Sequence, residues 1–154
     1  MKKVVRILSM IHEGSIGKNK IKELESMIKG TYAEHFSLDA KLVFLWMTIP
    51  NGQAYLAGKP STASTLQIPV EDGLSNDQRH PFMHDICLKW MDITGCNKNE
   101  IILNSPDFSE ADAQLERFNS KFKPSSKKLT IAKMFGSLVV GKVQKGYLTT
   151  SVNN

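Results

Sequence analysis

One internal repeat constrains this chain more than any other feature. A shift of 59 residues superimposes two stretches that share the order apolar strand, acidic-glycine turn, amphipathic helix and apolar strand. The matched positions are Glu13-Gly14 on Asp72-Gly73, Lys20 on Arg79, Leu24 on Met83, Ile28 on Cys87, and Leu42-Val43-Phe44 on Ile101-Ile102-Leu103. A β-α-β unit predicts two parallel strands joined by a right-handed crossover. Since only two copies are present, the repeat favours a pseudo-twofold domain over an extended array.

The first unit divides into clear elements. Residues 3–11 alternate in polarity, which predicts a strand, and residues 18–36 carry apolar side chains every three or four positions, which predicts a helix. Residues 41–49 are apolar almost throughout and indicate a central strand covered on both faces. In the small-residue connector that follows, Tyr55-Leu56 predicts a short edge strand.

The second unit repeats this order with stronger local signals. Residues 64–70 predict a strand, and Ser75 with Gln78 forms a capping box for the next helix. Gly95 marks the end of that helix. Pro81 conflicts with the pattern, because it lacks an N–H group and must either cost one backbone hydrogen bond or mark a later helix start. A strand over residues 100–103 completes the unit.

The rest of the chain has no counterpart in the first unit. Ser109 with Asp112 predicts a helix start, and an apolar seam follows at spacings of three and four: Phe108, Ala111, Leu115, Phe118 and Phe122. Residues 123–128 resemble a linker. Residues 129–150 hold β-branched side chains interrupted by glycines, which predicts a hairpin or a strand that packs on a neighbouring subunit.

These elements together predict an α+β fold. We expect two tandem β-α-β units, forming a four-stranded mixed sheet with two helices on one face, plus a C-terminal helix and β extension. At 154 residues and 41% hydrophobic content, the chain suits one domain over residues 1–154. Its parts are unit 3–58, unit 62–106 and the extension 107–154.

Charge and cysteine usage narrow the class of partner. The net charge of +5 comes from lysines scattered over sheet, loops and tail, so nucleic-acid binding is disfavoured and small anionic molecules are favoured. Residues 127–154 hold five basic residues and no acidic ones. The first residues are too polar for a signal peptide or membrane span, and Cys87 and Cys96 suit reduced thiols. We therefore expect a cytoplasmic protein with no membrane partner.

At three places the residues resemble the tautomerase superfamily. These are the turn Glu13-Gly14-Ser15 with Lys20 early in the helix, its echo at residues 72–75, and the connector at residues 52–58. The branch with two fused units, similar to cis-chloroacrylic acid dehalogenase and related to macrophage migration inhibitory factor, looks closest. The resemblance covers residues 3–118. It implies a homotrimer whose pockets lie near the start of the first strand, where an amino-terminal proline acts as acid or base and arginines hold a carboxylate.

This sequence departs from that pattern at the catalytic position. Residues 1–5 read Met-Lys-Lys-Val-Val, so no proline is present there, and Glu71 and Leu74 stand where paired arginines would fall. The α-amine of Met1 or the side chain of Lys2 would then replace the proline as base. Candidate substrate-binding residues are Arg6, Tyr32, Tyr55, Arg79, Asn104 and Glu116. The two arginines also suit structural ion pairs with Glu71, Asp72 or Asp77.

We expect no metal and no cofactor. His80 and His84 are four residues apart, but their repeat register gives them different exposure, and no phosphate-binding loop, Cys-x-x-Cys pair or serine triad is present. Two functions remain open. One is a tautomerase-like isomerase or lyase acting on a small unsaturated or keto carboxylic acid with a non-proline base. The other is a non-catalytic trimeric member that binds a ligand or a protein; an anion or nucleic-acid binder using the basic tail is a weaker third.

Overall fold

The computed structural model describes residues 2–36, 39–121 and 124–151, leaving aside the side chains of residues 124–127. The helices are α1 (Lys18–His35), α2 (Asn76–Thr94), α3 (Phe108–Ser120) and α4 (Pro124–Lys145). The strands are β1 (Lys3–His12), β2 (Ala40–Ile49), β3 (Tyr55–Leu56), β4 (Lys59–Pro60), β5 (Ser64–Gln67), β6 (Ile101–Asn104) and β7 (Thr149–Ser151). A short 3-10 turn over Lys98–Glu100 precedes β6.

A five-stranded mixed sheet with the order β6-β5-β1-β2-β7 joins the two units. β1 runs parallel to β2 and β5 parallel to β6, while β1 and β5 pair antiparallel. Leu8 lies opposite Gln67. These two residues also occupy equivalent positions in the repeat, since they are 59 residues apart. The pseudo-twofold axis therefore passes through this pair. The predicted α+β fold with two tandem units is confirmed, and β7 extends the sheet by a fifth strand.

The main core lies between one face of this sheet and helices α1 and α2. Alternate residues of β1, among them Val5, Ile7 and Ile11, are almost fully buried there. They meet the apolar faces of both helices: Ile21, Leu24, Ile28, Phe82, Ile86 and Trp90. The rings of Trp46 and Trp90 stack with centroids 6.2 Å apart. This packing of sequence-periodic side chains confirms the two predicted helices on one face.

Helix α3 contacts the sheet from the opposite side. Arg6 and Gln67 alternate with buried residues and so project away from the main core. Arg6 lies 3.8 Å from Asp112, and the Gln67 amide donates a hydrogen bond to Gln114 at 3.4 Å. The extension thus returns to the first unit and lies beside β1 and β5.

A linker over residues 123–128 and a hairpin or strand over residues 129–150 were predicted, and this was wrong for most of the segment; residue 123 lies outside the described residues. Most of this segment forms α4, and only three residues form β7. Gly136 and Gly141 lie inside the helix, where a glycine costs about 1 kcal/mol without ending it. Gly146, with φ +80°, is the glycine that ends α4, because its left-handed conformation suits the position after a helix. No helix in the described ranges is both long and apolar enough to cross a membrane.

Pro81 does not delay the start of α2. The helix begins at Asn76, and the backbone N–H of Ser75 donates to the side chain of Gln78 at 3.2 Å, as the predicted capping box requires. Pro81 lies in the second turn of α2, and the helix continues there without the hydrogen bond that a backbone N–H would form. Gly95, with φ +76°, closes the helix as predicted.

Gly141 gives a test of how α4 is held. A Cβ atom at this position would lie 2.5 Å from the carbonyl oxygen of Thr149, whereas one at Gly136 meets nothing within 4 Å. We expect Gly141→Ala to weaken the docking of α4 on β7 by about 1–3 kcal/mol. Gly136→Ala should instead stabilise α4 by about 0.5–1 kcal/mol. Amide hydrogen exchange of α4 and β7 measures both, and equal protection in the two variants would refute this account.

Candidate functional site

An open cleft of about 470 Å³ lies where the start of β1 meets the second unit and α3. Its walls are formed by Lys3, Glu71, Asp72, Phe108, Ser109 and Asp112. The chain reaches this arrangement because Val70 pairs with Asp107, so that the turn after β5 and the start of α3 lie side by side. The N–H of Phe108 donates to the carbonyl of Val70 at 2.9 Å. The cleft therefore lies at the start of the first strand, where the resemblance predicted a pocket.

Asp72 fixes the start of α3 against the acidic-glycine turn. Its carboxylate accepts a hydrogen bond from the N–H of Ser109 at 3.0 Å. This bond, helped by the charge of Lys3, holds the pKa of the Asp72 carboxyl below its ordinary value. A carboxylate beside the first N–H groups of a helix is favoured by the helix dipole. Asp72 is therefore an ionised cap that connects the second unit to the extension.

Lys3 and Arg6 bring positive charge to the same region. The Lys3 ammonium lies 4.8 Å from the centroid of the Phe108 ring and 3.9 Å from Asp112. Arg6 lies 3.8 Å from the other oxygen of Asp112. Both side chains are largely solvent-exposed, and such contacts are weak. Either cation can therefore move to an incoming anion at small cost.

Arg79, by contrast, is fully engaged. Its guanidinium donates to the carbonyl oxygens of Leu74 at 2.9 Å and Ser105 at 2.8 Å, and it forms an ion pair with Asp107. Its side chain is only 15% exposed. Arg79 thus joins the second turn, the end of β6 and the start of α3. Arg79 therefore forms a structural ion pair, as one of the two predicted alternatives requires, but its partner is Asp107 and not Glu71, Asp72 or Asp77.

Tyr32 lies beneath the second turn. Its hydroxyl is buried and donates a hydrogen bond to the carbonyl of Pro69 at 3.4 Å. Burial, together with the negative charge of Glu71, raises the pKa of Tyr32 to about 12. The phenol is therefore neutral near pH 7 and can act as a hydrogen-bond donor, not as a base.

In the described part of the chain, none of the predicted site residues is among those that line this cleft, and four of them also lie away from its walls. Lys2 forms an ion pair with Asp39 at 2.8 Å. Tyr55 is 68% exposed on the β3–β4 hairpin. Asn104 ends β6, and Glu116 is exposed on α3. Met1 lies outside the described residues.

Sequence reasoning did not assemble the acidic wall of the cleft. The sequence indicated roles for Glu71 and Asp72 in the second turn or as arginine partners, and for Asp112 in a helix-start signature, but it did not indicate that the three carboxylates lie together. That signature indicated a helix here, although the cap residue is Asp107 and not Ser109. No spacing in the sequence indicates that the helix folds back onto β1. The described residues include no group of three or more side chains suited to hold a metal ion.

A second cleft, of about 300 Å³, lies between α4 and the β2–β7 edge. Hydroxyl groups are frequent in its walls, which include Thr48, Ser137, Thr149 and Thr150, with Glu13 and Lys145 at its margin. Among the described residues, neither cleft is lined by a predicted site residue. The first cleft lies at the start of β1, where Arg6 reaches its wall at Asp112, so we place the candidate site there.

Comparison with solved structures identifies the fold. Native Ps01740 superimposes with a TM-score of 0.63 at 18% identity, over 67% of this chain and 93% of that chain. N1, a member of the cis-3-chloroacrylic acid dehalogenase family, gives 0.62 at 10% identity, over 80% and 96%. Native fused 4-OT gives 0.56 at 12% identity, over 67% and 86%. This chain has the tautomerase-superfamily fold.

The comparisons by sequence add nothing to this result. No family model matches the chain, and no curated protein matches it. The N1 match leaves 20% of this chain without a counterpart, and the other two leave a third. A sizeable part of the chain is thus an addition to the shared fold.

The role of Arg79 can be tested by stability. Removing its side chain leaves Asp107 and two carbonyl groups without their partner, so Arg79→Ala should lower the free energy of unfolding by about 3 kcal/mol. The exposed Arg6 is the matched control, and Arg6→Ala should cost less than about 1 kcal/mol. Urea denaturation measures both. Equal losses in the two variants would contradict a structural role for Arg79.

The Asp72 cap predicts a dependence of stability on pH. Because its pKa is lowered in the folded state, its contribution is fully present above the unfolded pKa of about 3.9 and is lost as the pH falls through the folded value. Wild type and Asp72→Ala should therefore differ in stability at pH 6 and converge in strong acid. Asp92→Ala, on the exposed side of α2, is the control. A difference that persists unchanged at low pH would exclude an ionised cap.

Proposed function

We propose that this protein is a tautomerase-like isomerase or lyase that acts on a small unsaturated or keto carboxylic acid with a base other than proline. One observation carries the proposal: an open cleft at the start of β1 combines the Lys3 ammonium with carboxylates on a tautomerase fold. General acid–base chemistry needs a proton acceptor and a proton donor on one small substrate. The cleft offers both types of group.

Lys3 and Arg6 suit the binding of the substrate's carboxylate. Their contacts with Asp112 are long and exposed, so a carboxylate from the substrate can replace them. Phe108, whose ring lies under the Lys3 ammonium, offers an apolar surface for an unsaturated carbon skeleton. These groups orient an enol or keto acid at the mouth of the cleft.

Glu71 is the carboxylate best suited to move the proton. Asp72 is held by Ser109, and Asp112 faces two cations, whereas Glu71 has no ion pair among the described residues. In ketonisation, Glu71 would accept the proton of the enol oxygen, and the protonated carboxyl would return a proton to the adjacent carbon. The neutral phenol of Tyr32 lies close enough for the charge of Glu71 to raise its pKa. The α-amine of Met1 and the side chain of Lys2 remain alternative bases.

The proposed function includes an oligomeric state and a cellular compartment for this protein. Structures of fused 4-OT are described as symmetric and asymmetric trimers, and we propose that this chain forms a homotrimer as well. Both cysteines, Cys87 and Cys96, are free thiols, which supports a reducing compartment such as the cytoplasm.

A non-catalytic trimeric binding protein is the second candidate. The engagement of Arg79 with Leu74, Ser105 and Asp107 favours it, because the cleft then lacks a fixed arginine clamp. Three carboxylates at the cleft also weaken its attraction for an anion. In that case the cleft would bind a ligand without turnover.

Ketonisation of phenylenolpyruvate separates the two candidates. The enzyme should convert the enol to the keto form. Lys3→Met should lower kcat/KM mainly by raising KM, because Lys3 binds the substrate's carboxylate. Glu71→Gln should lower kcat by about 100-fold or more, because it removes the base. Lys98→Met, an exposed lysine distant in sequence from the cleft, should leave both constants unchanged. Extension of the amino terminus should have little effect if Glu71 is the base and should abolish activity if the Met1 amine is. No turnover of enols or haloacrylates would favour the binding protein.

A further inference from the structure

Each of the two acidic-glycine turns carries a cleft. The cleft of about 300 Å³ between α4 and the β2–β7 edge, which we call the α4 cleft, is lined by Glu13 of the first turn. The other cleft is lined by Asp72 of the second turn, which is equivalent to Glu13 in the repeat. Pro50 and Ser109 are equivalent in the same way and line the same two clefts. The extension completes both, with α3 at the second turn and α4 at the first.

Two opposite charges in the α4 cleft have no partner among the described residues. Glu13, which directly follows β1, and Lys145, in the last turn of α4, both line the cleft and are both exposed. The ion pairs of the described chain include neither of them. A ligand with one positive and one negative group can pair with both. Charge-assisted hydrogen bonds of this kind are stronger than neutral ones.

The hydroxyl groups of the α4 cleft have already engaged their hydrogen atoms. Each hydroxyl has one hydrogen to donate and two lone pairs that accept. Ser137 donates to the carbonyl of Met134 at 2.9 Å, so Thr150 is the donor in its 3.0 Å contact with Ser137. Thr48 donates to the carbonyl of Thr150 at 3.3 Å. The lone pairs that remain on these oxygens can only accept, which favours a ligand group with several N–H donors.

Thr149 adds a buried hydroxyl to the same region. This residue lines the α4 cleft and is only 4% exposed. Its hydroxyl has no hydrogen-bond partner among the described residues. Since buried polar groups in folded proteins are almost always hydrogen-bonded, an unpartnered one beside a cleft indicates a polar occupant.

The size and the walls of the α4 cleft disfavour a large or aromatic ligand. Its volume of about 300 Å³ lies at the lower end of the range for small-molecule pockets. None of the described residues that line it is aromatic, and its apolar side chains are Pro50 and Val140. A flat ring would therefore find no ring to stack on. The cleft suits a compact polar molecule.

We propose that the α4 cleft binds a small zwitterion of the α-amino acid class. The ammonium group of the ligand pairs with the Glu13 carboxylate and donates to the hydroxyl oxygens of Thr48 and Thr150. Its carboxylate pairs with the Lys145 ammonium and accepts a hydrogen bond from the side-chain amide of Gln144. The site is separate from the candidate active site at the start of β1 and involves no turnover. The inference therefore goes beyond the proposed function.

Three small probes test the need for both charges on the unmodified chain. L-Serine carries an ammonium and a carboxylate, ethanolamine lacks the carboxylate, and 3-hydroxypropanoate lacks the ammonium. In an NMR titration of the isotope-labelled protein, L-serine should shift the backbone amides of Gly141, Gln144 and Thr150. Its dissociation constant should be lower than that of either other probe by about ten-fold or more, because each of those loses one charge-assisted contact.

Two charge variants identify the residues that hold the probe. Glu13→Gln and Lys145→Met should each weaken L-serine binding by about ten-fold. The matched controls are Glu23→Gln on α1 and Lys142→Met on α4, both at exposed positions that do not line the cleft, and they should change binding by less than about two-fold. Ethanolamine binding should depend on Glu13 alone, and 3-hydroxypropanoate binding on Lys145 alone. Circular dichroism checks that every variant is folded.

Three results would overturn the proposal. The first is that L-serine shifts no amide of α4 or β7, or shifts only amides around Lys3. The second is equal affinity for the three probes, which would mean that the cleft does not recognise both charges. The third is an equal loss of binding in the charge variants and their controls, which would mean a general effect of surface charge. None of these measurements uses the enol assay, so a failure of the proposed function and a failure of this inference are distinguishable.

Discussion

The antiparallel pairing of β1 with β5 is the interaction on which the rest of the structure depends. It joins two β-α-β units into one sheet, and the opposition of Leu8 and Gln67 sets the register of both. A slip of one residue would turn Val5, Ile7 and Ile11 away from the helices and expose them. Both helices then pack on one face because each unit has the same crossover hand. The other face and the two sheet edges are left for the extension.

The extension converts this plain scaffold into a site. Three contacts hold the start of α3 to the second unit: the pairing of Val70 with Asp107, the Asp72 cap and the Arg79 ion pair. All three contacts are made by residues that lie in the acidic-glycine turn of the second unit or within a few residues of it. As a result the carboxylates of the turn and of α3 surround the Lys3 side chain. The site is therefore a product of how the extension docks, more than of the repeat itself.

The sequence predicted the secondary structure of α3 but not that of α4. In α3 the seam from Phe108 to Phe118 predicted the helix correctly, whereas the Ser109–Asp112 signature placed its start two residues late, since the cap residue is Asp107. In α4 two glycines and several β-branched residues, with a third glycine just after the helix, favoured strands, and the prediction failed. The local preference of such residues is weak, about 1 kcal/mol or less for each residue, so tertiary contacts such as Gly141 on Thr149 can override it.

The sequence by itself determined the repeated unit, the sheet class and the faces of α1 and α2, because hydrophobic periodicity and turn glycines act locally. It also determined that residues 1–5 contain no proline and that residues 127–154 hold five lysines and no acidic residue. Only the tertiary structure decided that Arg79 is engaged with Asp107, that Glu71 and Asp112 share a cleft with Lys3, and that α4 presents its apolar side outward. Each of these depends on which surfaces meet across long sequence separations, and no local pattern encodes that choice.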